Sequence, residues 1–169
     1  EIEKVVYLTQ GRIAPFFEPT EIGMAEKNVA GAVAAAFGIN REKVLKLFLK
    51  LGDMGKAVEQ LARGPVTRFP PASAPHSTSL RVRAVGRSPT SRATPRVSEV
   101  LEILLKIAKT SGEGTVEKRQ TLLSDLLKKM DSLSAKFLVR IPLGNLRLGI
   151  GDPTILDGLA MAKLGDKSK

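Results

Sequence analysis

The chain has 169 residues, of which 43% are hydrophobic and only 4% aromatic, with no Trp and no Cys. That length allows one domain with a sizeable core, while the missing cysteines exclude a disulfide framework and any thiolate site. The net charge of +10, from 27 basic and 17 acidic residues, points to a polyanionic partner, and no apolar run approaches the roughly 20 residues that span a bilayer.

Leu, Ile, Val and Ala supply most of the apolar content, as in helical proteins. Lys4 to Gln10 reads as the end of a helix, with Val5, Val6 and Leu8 apolar and Gly11 as its stop. Pro15 to Thr20 reads as a loop. Glu26 to Phe37 is an alanine-rich helix closed by Gly38. Asn40 suits the cap of the next helix, whose Val44, Leu45, Leu47, Phe48 and Leu49 are expected to face inward. Gly52 and Asp53 break it, and Asp53 caps a further helix through Val58, Leu61 and Ala62. No partner carboxylates stand at ligand spacing around Asp53, so capping rather than metal binding is its role.

Residues 63–96 differ in kind. They hold six of the ten prolines, nine Ser or Thr, seven Arg, no acid, and the single histidine, His76. No helical or strand period survives, so a basic loop or disordered tether is the expectation. A reading-frame error across this stretch is one hypothesis, which peptides of the native protein matching residues 68–92 would refute. The rest of the chain carries 20 basic and 17 acidic residues, a net +3. Affinity of that body for a polyanion would rest on placed amides and a few cations rather than on bulk charge.

Periodicity returns at Val97. Ser98 is expected to cap a helix with Val100, Leu101, Leu104, Leu105 and Ala108 inward. After a tight connection over residues 111–114, Thr115 is expected to cap a helix with Leu122, Leu123, Leu126, Leu127 and Met130 apolar. Lys118, Arg119, Lys128 and Lys129 read as its solvated face. Ser134 is expected to open a helix through Phe137, Leu138 and Ile141, kinked or ended by Pro142. No stretch alternates long enough to be a strand. The fold class is all-α, a compact multi-helix array in which residues 1–62 and 97–169 form the two halves of one domain around residues 63–96.

The most informative stretch is Leu143 to Ala160. Arg147 precedes Gly149-Ile150-Gly151, and Asp152-Pro153-Thr154 opens an apolar run with Ile155, Leu156, Leu159 and Ala160. Asp152 suits the N-cap and Pro153 the first helical position. The glycines leave the first-turn amides open, and such a helix start favours an anion such as phosphate. The pattern occurs twice: Gly23 stands 126 residues before Gly149, with Met24, Ala25 and Glu26 over Ile150, Gly151 and Asp152. The lead-ins also match, Leu8 to Ile13 (with Gly11 and Arg12) over Ile141 to Leu146 (with Gly144 and Asn145), with Pro15 to Thr20 inserted in the first copy. Two copies of one helix-turn-helix unit predict a pseudo-two-fold repeat with two helix starts on one face, as the two phosphate strands of a duplex would require.

The segments LVRIPLGNLRLGIGDPTILDGLA, YLTQGRIAPFFE, EIGMAEKNVAGAVAAAFG, GDMGKAVEQLA and LLKIAKTSGEGTVEKRQTLLSDLL resemble the N-terminal DNA-binding domain of ATP-dependent DNA ligases of the archaeal type. The resemblance covers residues 4–62 and 97–169, and it implies a piece of a longer chain. The implied role is to grip nicked double-stranded DNA across the minor groove through backbone phosphates, without reading sequence. Its implied contacts are Arg147, Leu148, Gly149, Gly151, Asp152, Thr154 and Asn145 in the second copy, and Arg12, Gly23, Met24, Ala25 and Lys27 in the first. Ala25 stands where the family has glycine. ATP and Mg²⁺ belong to the parent enzyme, and no cofactor is expected here. A sliding clamp is a possible partner, though no docking motif is found. The implied setting is the cytosol, on the nucleoid.

No Lys-x-Asp-Gly occurs in the chain, so the lysine adenylation of the parent enzyme has no nucleophile here. The chain on its own is therefore expected to be catalytically silent, the ligase activity belonging to the parent enzyme. Two other readings stay open. Leu148 to Gly151 is also similar to the helix-hairpin-helix loop of DNA glycosylases, whose catalytic residue would lie beyond Lys169. A helical protein-interaction module with a basic tail is the other.

Overall fold

The computed structural model describes residues 2–15, 17–63, 95–146, 148–149 and 151–165. Among them are eight helices and no strand: α1 (Ile2–Thr9), α2 (Glu26–Phe37), α3 (Arg41–Leu51), α4 (Met54–Arg63), α5 (Val97–Lys109), α6 (Thr115–Leu127), α7 (Ser132–Leu138) and α8 (Asp152–Leu164). The all-α class is as the periodicity requires. The expectations for residues 64–94, including the basic tether and His76, and those for Arg147 and Ile150, lie outside the described residues.

Side chains set the helix starts, in places one to three residues from where the sequence puts them. Asn40 accepts a hydrogen bond from the Glu42 amide at 2.7 Å and Asp53 from the Lys56 amide at 2.8 Å, as expected. α5 begins at Val97 rather than after Ser98, because the Glu99 carboxylate reaches back to the Arg96 amide at 3.1 Å. α6 follows a left-handed Gly114, and Thr115 is already helical, its hydroxyl donating to the Gly112 carbonyl. α7 is capped by Asp131, not Ser134. The Asp131 carboxylate accepts from the amides of Leu133 and Ser134 at 2.8 and 2.9 Å, and the Ser134 hydroxyl is spent on it too. Pro142 lies beyond α7 in the turn that follows, so the helix ends before it and is not kinked.

α2 is the centre of the core. Val29, Ala30, Ala32 and Val33 are fully buried, and their small side chains let α6 approach closely. A Cβ on Gly31 would stand 2.9 Å from the Gln120 side-chain oxygen. Leu104 of α5 and Leu123, Leu126 and Leu127 of α6 fill the same core, each burial worth roughly 1.5–3 kcal/mol. α4 lies equally close on α7. A Cβ on Gly55 would stand 2.5 Å from the Lys136 carbonyl, and Arg140–Asp53 at 2.9 Å and Lys136–Glu59 at 2.7 Å border the contact. Helices from both sides of residues 64–94 thus share one core.

Two side chains depart from expectation. Leu49 is 78% exposed. The inward stripe of α3 runs through Val44 and Phe48, and Leu49 falls about 100° round from Phe48. Arg119 is not on a solvated face: it is half-buried, and its guanidinium donates to the carbonyls of Thr110 at 2.9 Å, Ala108 at 3.3 Å and Ile22 at 3.4 Å. It therefore clips the end of α5 and the lead-in to α2 onto α6.

Candidate nucleic-acid interface

The two lead-ins close in the same way. After α1, the Gly11 amide donates to the Leu8 carbonyl at 3.0 Å and the Arg12 amide to the Tyr7 carbonyl at 2.8 Å. After α7, the Gly144 amide donates to the Ile141 carbonyl at 3.0 Å and the Asn145 amide to the Arg140 carbonyl at 2.9 Å. Each is the two-bond Schellman closure, with the glycine left-handed at φ 73° and 66°. Arg12 and Asn145 thus occupy the same position, and both are exposed. The two turns touch, since a Cβ on Gly11 would lie 3.1 Å from the Leu146 Cβ.

From each turn the chain runs to a second left-handed glycine, Gly23 at φ 48° and Gly149 at φ 69°. Both are exposed, with open space where a Cβ would stand. The helix starts that follow are tied crosswise. The Met24 amide, before α2, donates to the Pro142 carbonyl after α7 at 3.1 Å. Asp152, at the start of α8, accepts from the Gln10 side chain at the end of α1. A cleft of about 420 Å³ lies between the two lead-ins and the approach to α2, bounded by Gly11, Arg12, Gly23, Met24, Pro142 and Gly144. Arg12 also borders the neighbouring cleft beside Asp152 and α8, so it stands between the two starts.

The free donors are few and placed. Ala25 is the N-cap of α2, in extended backbone, and no side chain caps the first turn. The amides of Asn28 and Val29 both go to the Ala25 carbonyl, at 2.8 and 3.1 Å. Among the described residues, the amides of Glu26 and Lys27 have no acceptor, and the Lys27 side chain is exposed beside them. Met24 differs from the sequence reading: its side chain is buried at 6% exposure and its amide is spent on Pro142, so it holds the turn in place. In the second copy Gly151 is the N-cap, not Asp152. The Asp152 carboxylate is drawn to Gln10 and makes no cap bond, which moves the cap back by one residue. The Ile155 amide donates to the Gly151 carbonyl at 3.2 Å, Pro153 has no N–H, and the amides of Asp152 and Thr154 have no acceptor among the described residues. Leu148 is 40% exposed at the rim. Gln10, Pro142 and Arg119 hold this arrangement and were not singled out from sequence.

The family model for the DNA ligase N terminus matches residues 1–160. The chain belongs to the DNA ligase N-terminal family. It is similar to DNA ligase 2 of Thermofilum pendens, 40% identical over 167 residues, covering 99% of this chain and 26% of that protein. It is also similar to the DNA ligase of Saccharolobus islandicus, 39% identical over 168 residues, and to the probable DNA ligase of Dictyoglomus turgidum, 35% identical over 168 residues. These cover 99% of the chain and 26% and 24% of the relatives, so the chain spans about a quarter of the length of the curated ligases it matches. The matches also run across residues 63–96, where the recognisable motifs stop. Membership of the ligase family displaces the glycosylase reading of residues 148–151.

Proposed function

We propose that this part of a DNA ligase grips nicked duplex DNA by its phosphates, one helix start to each strand. The observation that carries the reading is the crosswise pair of exposed glycine turns. Each leads to a helix start with unspent amides, and each is anchored to the other's lead-in. The matching Schellman closures at Gly11 and Gly144 support an internal pseudo-two-fold repeat, whose symmetry suits two antiparallel strands. Amides and helix dipoles at the starts of α2 and α8 attract phosphate oxygens without reading bases. Arg12, Lys27 and Arg147 add full charge, and Asn145 offers a neutral donor at the place Arg12 holds in the first copy. Gly23, Ala25, Gly149 and Gly151 keep the approach clear of bulky side chains.

In the whole enzyme this grip would hold a nick while the other domains seal it in replication, repair and recombination. ATP and Mg²⁺ would supply the nucleotidyl-transfer chemistry there, in the other domains. The residues described here do not fit either group. No cluster of three His, Asp or Glu able to hold a metal lies among them, and the chain has no Lys-x-Asp-Gly. No helix among the described residues is long and apolar enough to cross a membrane; the cytosol is the setting that the family reading implies. A sliding clamp remains a partner of the family reading alone.

Titration of a labelled nicked duplex against increasing NaCl tests the proposal. Binding is expected with a dissociation constant on the order of 10⁻⁴ to 10⁻⁶ M, falling steeply with salt. Arg147→Ala is expected to weaken binding equally on unrelated sequences and to flatten the salt slope by about one unit. An unchanged slope would remove Arg147 from the interface.

A further inference from the structure

We propose that the groove formed by α3, α4 and the C-terminal end of α2 docks an acidic amphipathic segment of a partner protein. The groove is a cleft of about 370 Å³ with an apolar floor of Phe37, Ile39, Leu47 and Leu61. Lys43, Lys46 and Lys50 stand along it, and no acidic side chain lines it. Their spacing of three and then four residues puts all three ammonium groups on one face of α3. They are exposed, and none has an ion-pair partner among the described residues.

The combination decides the occupant. Phosphates of a duplex could meet the lysines, but a DNA backbone has nothing apolar to cover the leucines and isoleucine between them. An amphipathic helix can do both, with apolar anchors at i, i+3, i+4 and i+7 on the floor and flanking carboxylates on the lysine row. The groove is also remote from the glycine turns. They precede the first turn of α2, whereas Phe37 ends that helix, about 18 Å away at 1.5 Å per residue.

The test uses a fluorescein-labelled helical peptide with leucines at i, i+3, i+4 and i+7 and glutamates on both flanks, followed by anisotropy against the whole chain. Binding is expected, weakened by salt and lost when the glutamates are replaced by glutamine. The K43Q/K46Q/K50Q variant changes only exposed side chains and is expected to lose roughly tenfold in peptide affinity, within the range of three exposed ion pairs. Leu47→Gln is expected to lose a similar factor while circular dichroism stays unchanged. Nicked-duplex affinity is expected to change less than about threefold in either variant, because the groove lies away from the DNA-binding face. Failure of the peptide to bind, binding by either variant as tight as by the unsubstituted chain, or displacement of the peptide by nicked duplex would each overturn the proposal. Self-association of the chain that K43Q/K46Q/K50Q abolishes would assign the groove to a second copy and overturn it as well.

Discussion

Gly11 and Gly144 hold equivalent positions, which makes alanine at each a matched experiment. Both are left-handed, at φ 73° and 66°, a conformation that costs an L-residue about 1–2 kcal/mol. Alanine also restricts the unfolded chain, which returns about 0.4–1 kcal/mol. Gly144→Ala meets no atom within 4 Å, so its net loss is expected to be about 1 kcal/mol. Gly11→Ala carries the same backbone cost and in addition presses its Cβ to 3.1 Å from the Leu146 Cβ. Part of the two turns must shift, at roughly 1 kcal/mol or more, the low end of overpacking. The expected total is about 2 kcal/mol, a melting temperature lower by roughly 4–8 °C against 2–4 °C for Gly144→Ala. Thermal denaturation by circular dichroism gives the stabilities, and nicked-duplex anisotropy at 20 °C gives the functional cost. Because Gly11 packs on Leu146 and adjoins Gln10, which bonds Asp152 at the start of α8, Gly11→Ala is expected to weaken DNA binding more. Equal losses in both assays would refute the idea that the turns lean on each other.

Other outcomes follow from single side chains. Arg119→Lys is expected to cost about 1–3 kcal/mol, the range for unsatisfied buried carbonyls. One ammonium cannot serve the three carbonyls that the guanidinium fork spans, and urea denaturation measures the loss. Burial works against the charge on Asp53, but hydrogen bonds from the Lys56 amide and from Arg140 outweigh it, so its pKa lies below the ordinary carboxylate range. A depressed folded value gives stability that is full above the unfolded value of about 3.9 and lost as pH falls through the folded one. Asp53→Asn is therefore expected to be less stable than wild type at pH 7, with the gap closing below about pH 4; a gap independent of pH would contradict the ionic role. Glu26 stands exposed in the first turn of α2 beside the unspent amides. Glu26→Gln is expected to tighten nicked-duplex binding about two- to fivefold, since it removes a like charge worth about 0.3–1 kcal/mol near the helix start. Weaker binding would mean that the carboxylate does not face phosphate.

Much of the helical pattern is legible in the chain because apolar period and punctuation agree there. Asn40, Asp53 and Gly38 sit at unambiguous ends. The start of α7 is misplaced because several capping residues follow one another. Asp131 precedes Ser132 and Ser134, and a carboxylate that reaches two amides wins over a hydroxyl. At residues 151–153 the competing attraction is distant in sequence. Gln10 draws the Asp152 carboxylate away from its own helix, and no local rule registers a partner 142 residues off. Arg119 fails for the same reason: by spacing it belongs with surface lysines, and only the packing of α2 and α5 on α6 brings three carbonyls to it. The doubled glycine pattern could be read directly from sequence, but the crosswise ties through Pro142 and Gln10 could not. They depend on how α1 and α7 end against each other.

The most direct measurement is amide NMR of the chain titrated with a nicked duplex at low salt. The account predicts the largest shifts at Gly23, Glu26 and Lys27 and at Gly149, Asp152 and Thr154, in both copies at the same stoichiometry and with Lys43, Lys46 and Lys50 unmoved. Shifts confined to one copy, or centred on α3, would contradict a two-strand grip.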